Sequence, residues 1–364
     1  MLVLSHKIQI KNPTVKQERY FRQACGTSRF AYNWGLAEWK RQYEAGLKPT
    51  AFKIKKAFNA IKPVDFPWVF NVTKCAAEQA FANLGTAFKH FFNGSGQYPQ
   101  FKKKGRRDSF YLSNDQFKTE GNRIKIPKLG WVKLTESIRF EGKILSATVS
   151  SNADKWFISI SVQLKTSPVK ISENQTDVVG VDLGVKSLAI LSNGEAIEGQ
   201  KPLKKLSRRL ARLQRKQASL TKGSKRNDRQ KLKISKLHYR IKAIRQDGLH
   251  KLTHHLCQDF KIICLEDLNV KGMMKNSRLA KAISDMGFYE LKRQLGYKAG
   301  LYGNWISIID KWFPSSKTCS NCGDKKELFK LSERVYHCET CGYEMDRDLN
   351  AAINIEREGI RLLA

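Results

Sequence analysis

The sequence is poor in acidic residues and has no long apolar run. Among its 364 residues, 33 Asp and Glu face 67 Lys and Arg, which leaves a net charge of +34. So large an imbalance argues against an ordinary metabolic enzyme and indicates a polyanionic partner such as nucleic acid. No stretch reaches the roughly 18 apolar residues of a membrane-spanning helix, and the mean hydropathy is −0.49. We therefore expect no membrane partner.

The sequence also lacks a signal peptide and a disulfide framework. Residues 1–11 alternate apolar and polar side chains, which is typical of a first strand and unlike the continuous apolar core of a signal peptide. Four of the eight cysteines form two Cys-x-x-Cys pairs within one short segment. Such pairs are typical of a metal site in a reducing compartment. We therefore place the protein inside the cell.

The chain divides into blocks of different periodicity. Helical spacing dominates residues 14–95, whereas short strand patterns after a cation-rich loop dominate residues 96–170. Together with the first strand, residues 1–13, the second block predicts a small antiparallel barrel. A polar segment at 165–177 indicates a domain boundary. Strands and helices then alternate to the end, so the chain as a whole is predicted to be α/β and multidomain.

Half of the net charge comes from one segment. Residues 201–245 contain 18 Lys or Arg and one acid, a charge of +17. Apolar residues recur on one helical face on either side of Thr221-Lys-Gly-Ser, which predicts two antiparallel basic helices. A solvated surface is the alternative, but such surfaces usually mix both charges. The cations predicted to bind nucleic acid here are Lys204, Lys205, Arg208, Arg209 and Arg212.

A second cationic set lies in the loop after residue 94, where aromatic residues are interleaved with Lys and Arg. Phosphate contacts and base stacking need these two residue types side by side. A merely solvated loop is the alternative. The predicted phosphate contacts are Lys102, Lys103, Lys104, Arg106 and Arg107.

Four cysteines have the spacing of a zinc ribbon. Cys319 and Cys322 form one pair, Cys338 and Cys341 form the other, and 15 residues separate the pairs. Two intervening residues let a turn aim both thiolates at one ion, and a glycine follows each pair. One structural Zn²⁺ is therefore expected, since four thiolates leave no open position. His337 is interpreted as a surface residue, and the other cysteines, Cys25, Cys75, Cys257 and Cys264, as buried small apolar side chains.

Three carboxylates stand where predicted elements begin or end. Asp182 closes one apolar strand, Glu266 closes another, and Asp348 opens a predicted helix. Carboxylates gathered at one place bind Mg²⁺, and two such ions support phosphodiester hydrolysis. Each acid alone fits a turn or a helix cap equally well. Spacing does not choose between Glu266 and its neighbour Asp267, or between Asp348 and Asp346.

Six segments together resemble the TnpB (OrfB) family of transposon-encoded RNA-guided nucleases, relatives of type V CRISPR effectors. They follow the family order across nearly the whole chain, and the last three are specific in combination. The segments are Gly26-Thr-Ser-Arg-Phe-Ala-Tyr-Asn-Trp, Tyr98-Pro-Gln-Phe-Lys-Lys-Lys, Gly180-Val-Asp-Leu-Gly-Val-Lys, Leu265-Glu-Asp-Leu-Asn-Val, Pro314-Ser-Ser-Lys-Thr-Cys-Ser-Asn-Cys-Gly and Asp346-Arg-Asp-Leu-Asn-Ala-Ala-Ile-Asn-Ile.

The resemblance implies an RNase H-like (RuvC) nuclease domain with an inserted zinc ribbon, preceded by a helical recognition lobe and a wedge barrel. It implies the catalytic triad Asp182, Glu266 and Asp348, two catalytic Mg²⁺ ions, a guide RNA from the flanking transposon end, and target DNA beside a short motif. It also implies the cytoplasm of a prokaryotic cell, near the nucleoid. The boundaries expected are 1–13 and 96–170 for the wedge, 14–95 for the recognition lobe, 177–315 for the nuclease domain with a basic hairpin at 201–256, 316–342 for the zinc ribbon and 343–364 for the last nuclease segment.

Three alternative functions fit the same charge and motifs. A DNA-binding protein without cleavage, RNA-guided or not, would need only the cationic surfaces, but the three acids of the triad are all present. A transposase proper would join strands by the same two-metal chemistry. A junction resolvase would act without RNA. Copurified RNA and the products formed on DNA distinguish these functions.

Overall fold

The computed structural model describes residues 2–165, 176–327 and 333–364. The chain divides into two compact units, residues 1–166 and 167–364. This division falls in the polar segment at 165–177 where the sequence predicted a boundary. Residues 166–175 of that segment lie outside the described residues.

The first unit combines helices with antiparallel strands. Its helices are α1 (Val15–Glu44), α2 (Ala51–Asp65) and α3 (Cys75–Phe92), with short 3-10 helices at Pro67–Asn71 and Asn114–Gln116, and its strands are β1 (Leu2–Gln9), β2 (Ser109–Ser113), β3 (Lys118–Glu120), β4 (Arg123–Ile126), β5 (Gly130–Lys133), β6 (Lys143–Asn152) and β7 (Lys155–Leu164). The alternation at the N-terminus thus becomes a strand, and helices occupy the block at 14–95, as predicted.

The strands of the first unit form two antiparallel sheets. One has the order β1-β7-β6-β2 and the other the order β3-β4-β5, and the bridge between Ile10 and Leu134 links them. Both sheets contribute to one apolar core, which includes Ile124 from β4 and Ile158 from β7. The predicted antiparallel strands are therefore present. Their closure into a single barrel stays a prediction.

Local sequence explains why α1 begins where it does. The Thr14 hydroxyl accepts a hydrogen bond from the Gln17 backbone N–H, and the Gln17 side chain accepts one from the Thr14 N–H. This reciprocal pair satisfies two donors that a helix start otherwise leaves unpaired. Further along α1, Trp39 stacks on Phe88 of α3 with ring centroids 4.0 Å apart. Aromatic packing of this kind fills the core between these helices.

The second unit is built on a mixed five-stranded sheet of order β10-β9-β8-β11-β12. Within it, β11 runs parallel to both β8 and β12. The elements are β8 (Thr176–Asp182), β9 (Ala189–Leu191), β10 (Ala196–Ile197), α4 (Pro202–Ala218), α5 (Lys225–Asp259), β11 (Phe260–Glu266), α6 (Val270–Met273), α7 (Ser277–Met286), α8 (Phe288–Tyr302), β12 (Trp305–Ile309), β13 (Val335–His337), β14 (Glu344–Asp346) and α9 (Arg347–Arg361). No helix in the described ranges is both long and apolar enough to span a membrane.

Helix α9 lies unusually close to the sheet because two glycines leave room for it. A Cβ at Gly180 of β8 would lie 2.0 Å from the Ala352 carbonyl oxygen. A Cβ at Gly359 of α9 would lie 2.3 Å from the Cys264 sulfur. Any larger residue at either position would push the helix away from the strands, so these glycines fix where α9 begins relative to the strand ends.

The basic segment forms the predicted pair of antiparallel helices, α4 and α5. Leu210 of α4 packs against Leu237 and Ile241 of α5. The start of α4 is held from another element, since Asp285 of α7 accepts hydrogen bonds from the backbone N–H groups of Leu203 (3.0 Å) and Lys204 (2.9 Å). A carboxylate at this end of a helix also complements the helix dipole.

Candidate active site and metal centre

Two of the three predicted acids share one edge of the sheet. Strand β8 ends at Asp182 and β11 ends at Glu266. The two strands are parallel, with Val181 opposite Leu265. The carboxyl ends of parallel strands meet at one sheet edge, so Asp182 and Glu266 lie side by side there, both half-buried.

The third predicted acid stands on α9, which packs against β8 and β11. Asp348 is the second residue of that helix, and its side chain is 19% exposed. Burial first, and then the charges of Glu266 and Asp348, raise the pKa of Asp182 to about 7. Glu266 and Asp348 are thus each close enough for their charge to act on Asp182. No trio of carboxylate oxygens among the described residues lies within 4.8 Å of one another.

The structure distinguishes the two acids within each pair between which spacing did not choose. Glu266 is half-buried, whereas Asp267 is exposed and forms an ion pair of 2.6 Å with Lys292. Asp346 is exposed and caps α9, because its Oδ1 accepts hydrogen bonds from the backbone N–H groups of Asp348 and Leu349. The interpretation of Asp348 as the helix cap is therefore wrong, since Asp346 takes that position.

Asp348 also has cationic neighbours. Arg347 donates to its Oδ1 from Nε at 3.0 Å and from Nη2 at 2.8 Å. The Arg334 guanidinium lies 3.7 Å from its Oδ2. Two cations beside one carboxylate offset part of the repulsion among the acids.

Burial raises the pKa of Glu266, and a hydrogen bond donated by the Ser315 hydroxyl opposes this rise. A groove of about 560 Å³ opens beside Glu266, and Lys271, Tyr289 and Lys311 are among the residues that line it. The lysines in this largely apolar lining supply positive charge beside Glu266, which suits an anionic chain.

The four predicted cysteines come together at the second site. Their Sγ atoms all lie within 4.8 Å of one another, with Cys319 3.7 Å from Cys341 and Cys322 3.6 Å from Cys338. Four thiolates at such distances suit a single tetrahedral Zn²⁺ ion. The glycines that follow the pairs, Gly323 and Gly342, both have positive φ, so each turn uses a conformation that favours glycine.

The remaining cysteines and His337 lie where the sequence placed them. Cys25, Cys75, Cys257 and Cys264 are buried. His337 is exposed and its Nδ1 lies 2.9 Å from a Glu344 carboxylate oxygen.

The predicted nucleic-acid contacts fall into two groups. On α4, all five cations are exposed and none forms an ion pair within the described part of the chain. In the loop, Lys102 differs from its neighbours because its ammonium lies 4.0 Å from the centre of the Tyr32 ring. The Asn33 side chain also binds the Lys102 backbone, because it donates a hydrogen bond to the Lys102 carbonyl and accepts one from the Lys102 N–H. Lys103, Lys104, Arg106 and Arg107 are exposed.

Sequence reasoning missed three residues that connect the two sites. Ser315 contacts Glu266, and Asn350 and Asn354 bind the backbone around the first cysteine pair. A signal for the asparagines was present, since two amides four residues apart interrupt an apolar helix face. Ser315 stands in the Pro314-Ser-Ser-Lys-Thr-Cys segment that carries the family resemblance, but that segment did not indicate a contact with Glu266.

Comparison with known proteins shows which family shares this mixed α/β fold and its four-cysteine cluster. Three family descriptions match it: "Probable transposase" of the IS605 OrfB type over residues 147–277, a Cas12f1-like TNB domain over 288–355 and a helix-turn-helix domain over 1–48. In the last of these ranges the structure has strand β1 followed by the single long helix α1.

Two curated relatives span nearly the whole chain. The Escherichia coli (strain K12) protein named "Putative RNA-guided DNA endonuclease InsQ" is 33% identical over 377 residues, which cover 98% of this chain and 92% of the relative. A Streptomyces pristinaespiralis protein named "Putative RNA-guided DNA endonuclease" is 32% identical over 355 residues, which cover 96% and 87%. The chain belongs to the TnpB (OrfB) family, as its motifs predicted.

A solved structure has a similar fold. The Cas12f1 chain in a cryo-EM structure of a Cas12f1–sgRNA–target DNA complex matches with a TM-score of 0.60 at 15% identity. The match covers 97% of this chain and 98% of that chain. At this identity the likeness concerns the fold alone.

Proposed function

We propose that the protein is an RNA-guided DNA endonuclease encoded by a transposable element, which hydrolyses guide-matched DNA in a RuvC-type site. The observation that carries this proposal is that Asp182 and Glu266 end neighbouring parallel strands, and that the charges of Glu266 and Asp348 both act on Asp182. The names of the full-length relatives support the same activity. A binding protein without cleavage would need only the cationic surfaces, whereas all three acids of the triad are present here.

The donor set fits divalent cations. Three carboxylates supply the hard oxygen ligands that Mg²⁺ prefers, and the raised pKa of Asp182 reflects burial and like charges that a cation would compensate. When bound by Asp182, Glu266 and Asp348, two Mg²⁺ ions would activate a water and stabilise the leaving oxygen of a phosphodiester. The chain's own contribution is to hold the three carboxylates in place and to line the groove beside them with lysines.

The four-cysteine cluster is proposed to bind one structural Zn²⁺ through Cys319, Cys322, Cys338 and Cys341. The donor set supports this, because soft thiolates select zinc and leave no open position for catalysis. The proposed location is the cytoplasm of a prokaryotic cell, because two Cys-x-x-Cys pairs of this spacing are typical of a metal site in a reducing compartment.

The cations are proposed to hold a guide RNA and the DNA paired with it. In guided nucleases the protein binds the heteroduplex through its backbone, while base pairing reads the sequence. The exposed cations of α4 suit the backbone contacts. Lys103, Lys104, Arg106 and Arg107 are proposed as further phosphate contacts, whereas the engagement of Lys102 with Tyr32 makes it a weaker choice.

The decisive experiment purifies the protein from cells that carry its native flanking DNA. The bound RNA is sequenced, and that RNA is then tested for Mg²⁺-dependent cleavage of matching DNA. Asp182→Asn is expected to abolish cleavage and to leave RNA and target binding intact. Asp177→Asn is the matched control, because Asp177 lies on the same strand but forms an exposed ion pair with Lys261.

Three results would contradict the proposal. Full cleavage by Asp182→Asn would remove the assigned site. Joined strands in place of breaks would indicate a transposase. Cleavage of DNA junctions by protein that copurifies without RNA would indicate a resolvase.

A further inference from the structure

Hydrogen bonds and a short stretch of backbone join the cysteine cluster to Glu266 at the end of β11. At one end, the Ser315 hydroxyl donates to Oε1 of Glu266. Ser315 is buried, with 6% of its surface exposed, and it precedes Cys319 by only four residues. The residue that touches Glu266 therefore belongs to the segment that leads into the cluster.

Two asparagines of α9 form the middle of the path. The Asn354 amide donates to the carbonyl oxygens of Ser315 (2.8 Å) and Thr318 (2.6 Å). The Asn350 amide donates to Thr318 (2.8 Å), and its Oδ1 accepts from the Ser320 N–H (2.9 Å). The two asparagines thus bind the backbone on both sides of Cys319.

Burial makes these contacts specific. Asn350 is fully buried and Asn354 is 4% exposed, beside the apolar side chains of Ala351 and Ile355. Buried amides without partners lower stability, so such residues persist where each polar atom is satisfied. Both amide side chains direct their hydrogen bonds to the backbone of residues 315–320. The segment is consequently held in one position relative to α9, which also carries Asp348.

We propose that Ser315 is a positioning residue for Glu266. We further propose that Asn350 and Asn354 hold the segment around Cys319, so that the cysteine cluster fixes the position of Ser315. The inference rests on the proposed function, because it takes Glu266 as a metal ligand. The hydrogen bond that the Ser315 hydroxyl donates to Oε1 orients the Glu266 carboxylate and leaves Oε2 available for another partner. The cluster then does more than stabilise its own loop, since it helps to set the geometry of the carboxylates.

The test compares Ser315→Ala, Ser315→Thr and Ser316→Ala in the purified protein–RNA complex. Ser316→Ala makes the same change one residue further along. Mn²⁺ binding is measured from the loss of the free-ion EPR signal, zinc content by atomic emission, and cleavage as a function of Mg²⁺ concentration. Substitution of a residue that hydrogen-bonds to a metal ligand typically lowers the affinity for the metal by about 10–100-fold. Ser315→Ala should therefore weaken Mn²⁺ binding about tenfold or more and raise the Mg²⁺ requirement, with zinc content unchanged.

The conservative variant separates positioning from packing. Ser315→Thr keeps the hydroxyl and should restore Mn²⁺ affinity to within about threefold of wild type, a change well below the range expected when a partner of a metal ligand is removed. The double variant Ser315→Ala with Asn354→Ala should bind Mn²⁺ no more weakly than Ser315→Ala alone, because Asn354 acts on Glu266 through Ser315. A fully additive loss would overturn the path between the asparagine and Glu266.

Mn²⁺ binding by these variants and by Asp182→Asn tests the positioning role of Ser315 separately from the nuclease site. If Asp182→Asn loses Mn²⁺ binding while Ser315→Ala and Ser316→Ala bind as wild type does, the positioning role is wrong and the nuclease site stands. If Asp182→Asn binds Mn²⁺ as tightly as wild type, the carboxylates are not the metal site and both proposals fall.

Discussion

Asp346 caps the helix on which Asp348 stands. The Asp346 Oδ1 lies 2.9 Å from the backbone nitrogen of Asp348 and 3.1 Å from that of Leu349. Asp346 thus satisfies the helix start, and the charges of both acids act on Asp182, that of Asp348 more strongly. The same motif therefore supplies both a structural and a proposed catalytic carboxylate.

Because Asp346 caps the helix and Asp348 is a proposed metal ligand, we expect different outcomes when each is replaced by Asn. Asp348→Asn should lower the cleavage rate by more than about 100-fold, beyond the range typical for partners of metal ligands, because it removes a proposed ligand. Asp346→Asn should keep cleavage close to wild type, because Asn caps a helix as well as Asp does. Single-turnover cleavage of guide-matched DNA measures both. Equal loss in the two variants would contradict the assignment.

Removal of one zinc ligand should affect folding first. Cys338→Ser is expected to lower the zinc content from one ion per chain towards none and to reduce solubility, since metal binding stabilises a segment too short for its own core. His337→Ala is the neighbouring control and should retain zinc, because that side chain faces Glu344. Metal analysis and thermal melting check both variants. A soluble, fully active Cys338→Ser protein would count against a structural zinc.

The α4 cations should control the salt dependence of RNA binding. Replacing Arg208, Arg209 and Arg212 with Gln should reduce the slope of log K against log salt by about 0.7 to 0.9 for each phosphate that is no longer neutralised. The control replaces Arg22, Lys40 and Arg41, which already pair with acids on α1. Filter binding at several salt concentrations gives the slopes. An equal change in both triple variants would mean that net charge alone matters.

Lys298 should make stability depend on pH in the alkaline range. Burial lowers its pKa to about 8 in the folded protein, against an ordinary value near 10.4. The unfolded chain binds the extra proton between these values, so stability of the wild type rises with pH there. Lys298→Met also removes the hydrogen bonds of the ammonium to the His250 carbonyl and the Thr253 hydroxyl, so the prediction concerns the change with pH. The stability of wild type relative to Lys298→Met should rise by on the order of 3 kcal/mol between pH 7 and pH 10.

Denaturant unfolding of both proteins between pH 7 and 10 measures this difference. Lys281→Met, which changes an exposed lysine of α7, supplies the control. A difference between Lys298→Met and wild type that stays constant with pH would refute the role of Lys298 burial.

Much of the candidate site was predictable because its signals are local. Two Cys-x-x-Cys pairs, a strand that ends in an acid and a leucine stripe among cations each depend on residues a few positions apart. The basic helices and the cysteine cluster accordingly formed where expected. Lys102 shows the limit, because no local pattern indicated that Tyr32 would engage its ammonium.

By itself the sequence determined the family, the residue types of both sites and the strand ends at which two acids stand. Only the tertiary structure decided that Asp267 pairs with Lys292, that Asp346 caps α9 and that Ser315 touches Glu266. The reason is physical: periodicity constrains neighbours along the chain, whereas burial and hydrogen bonding between distant segments depend on how elements pack. Helix α9, seated on Gly180, brings the third acid and both asparagines to their places.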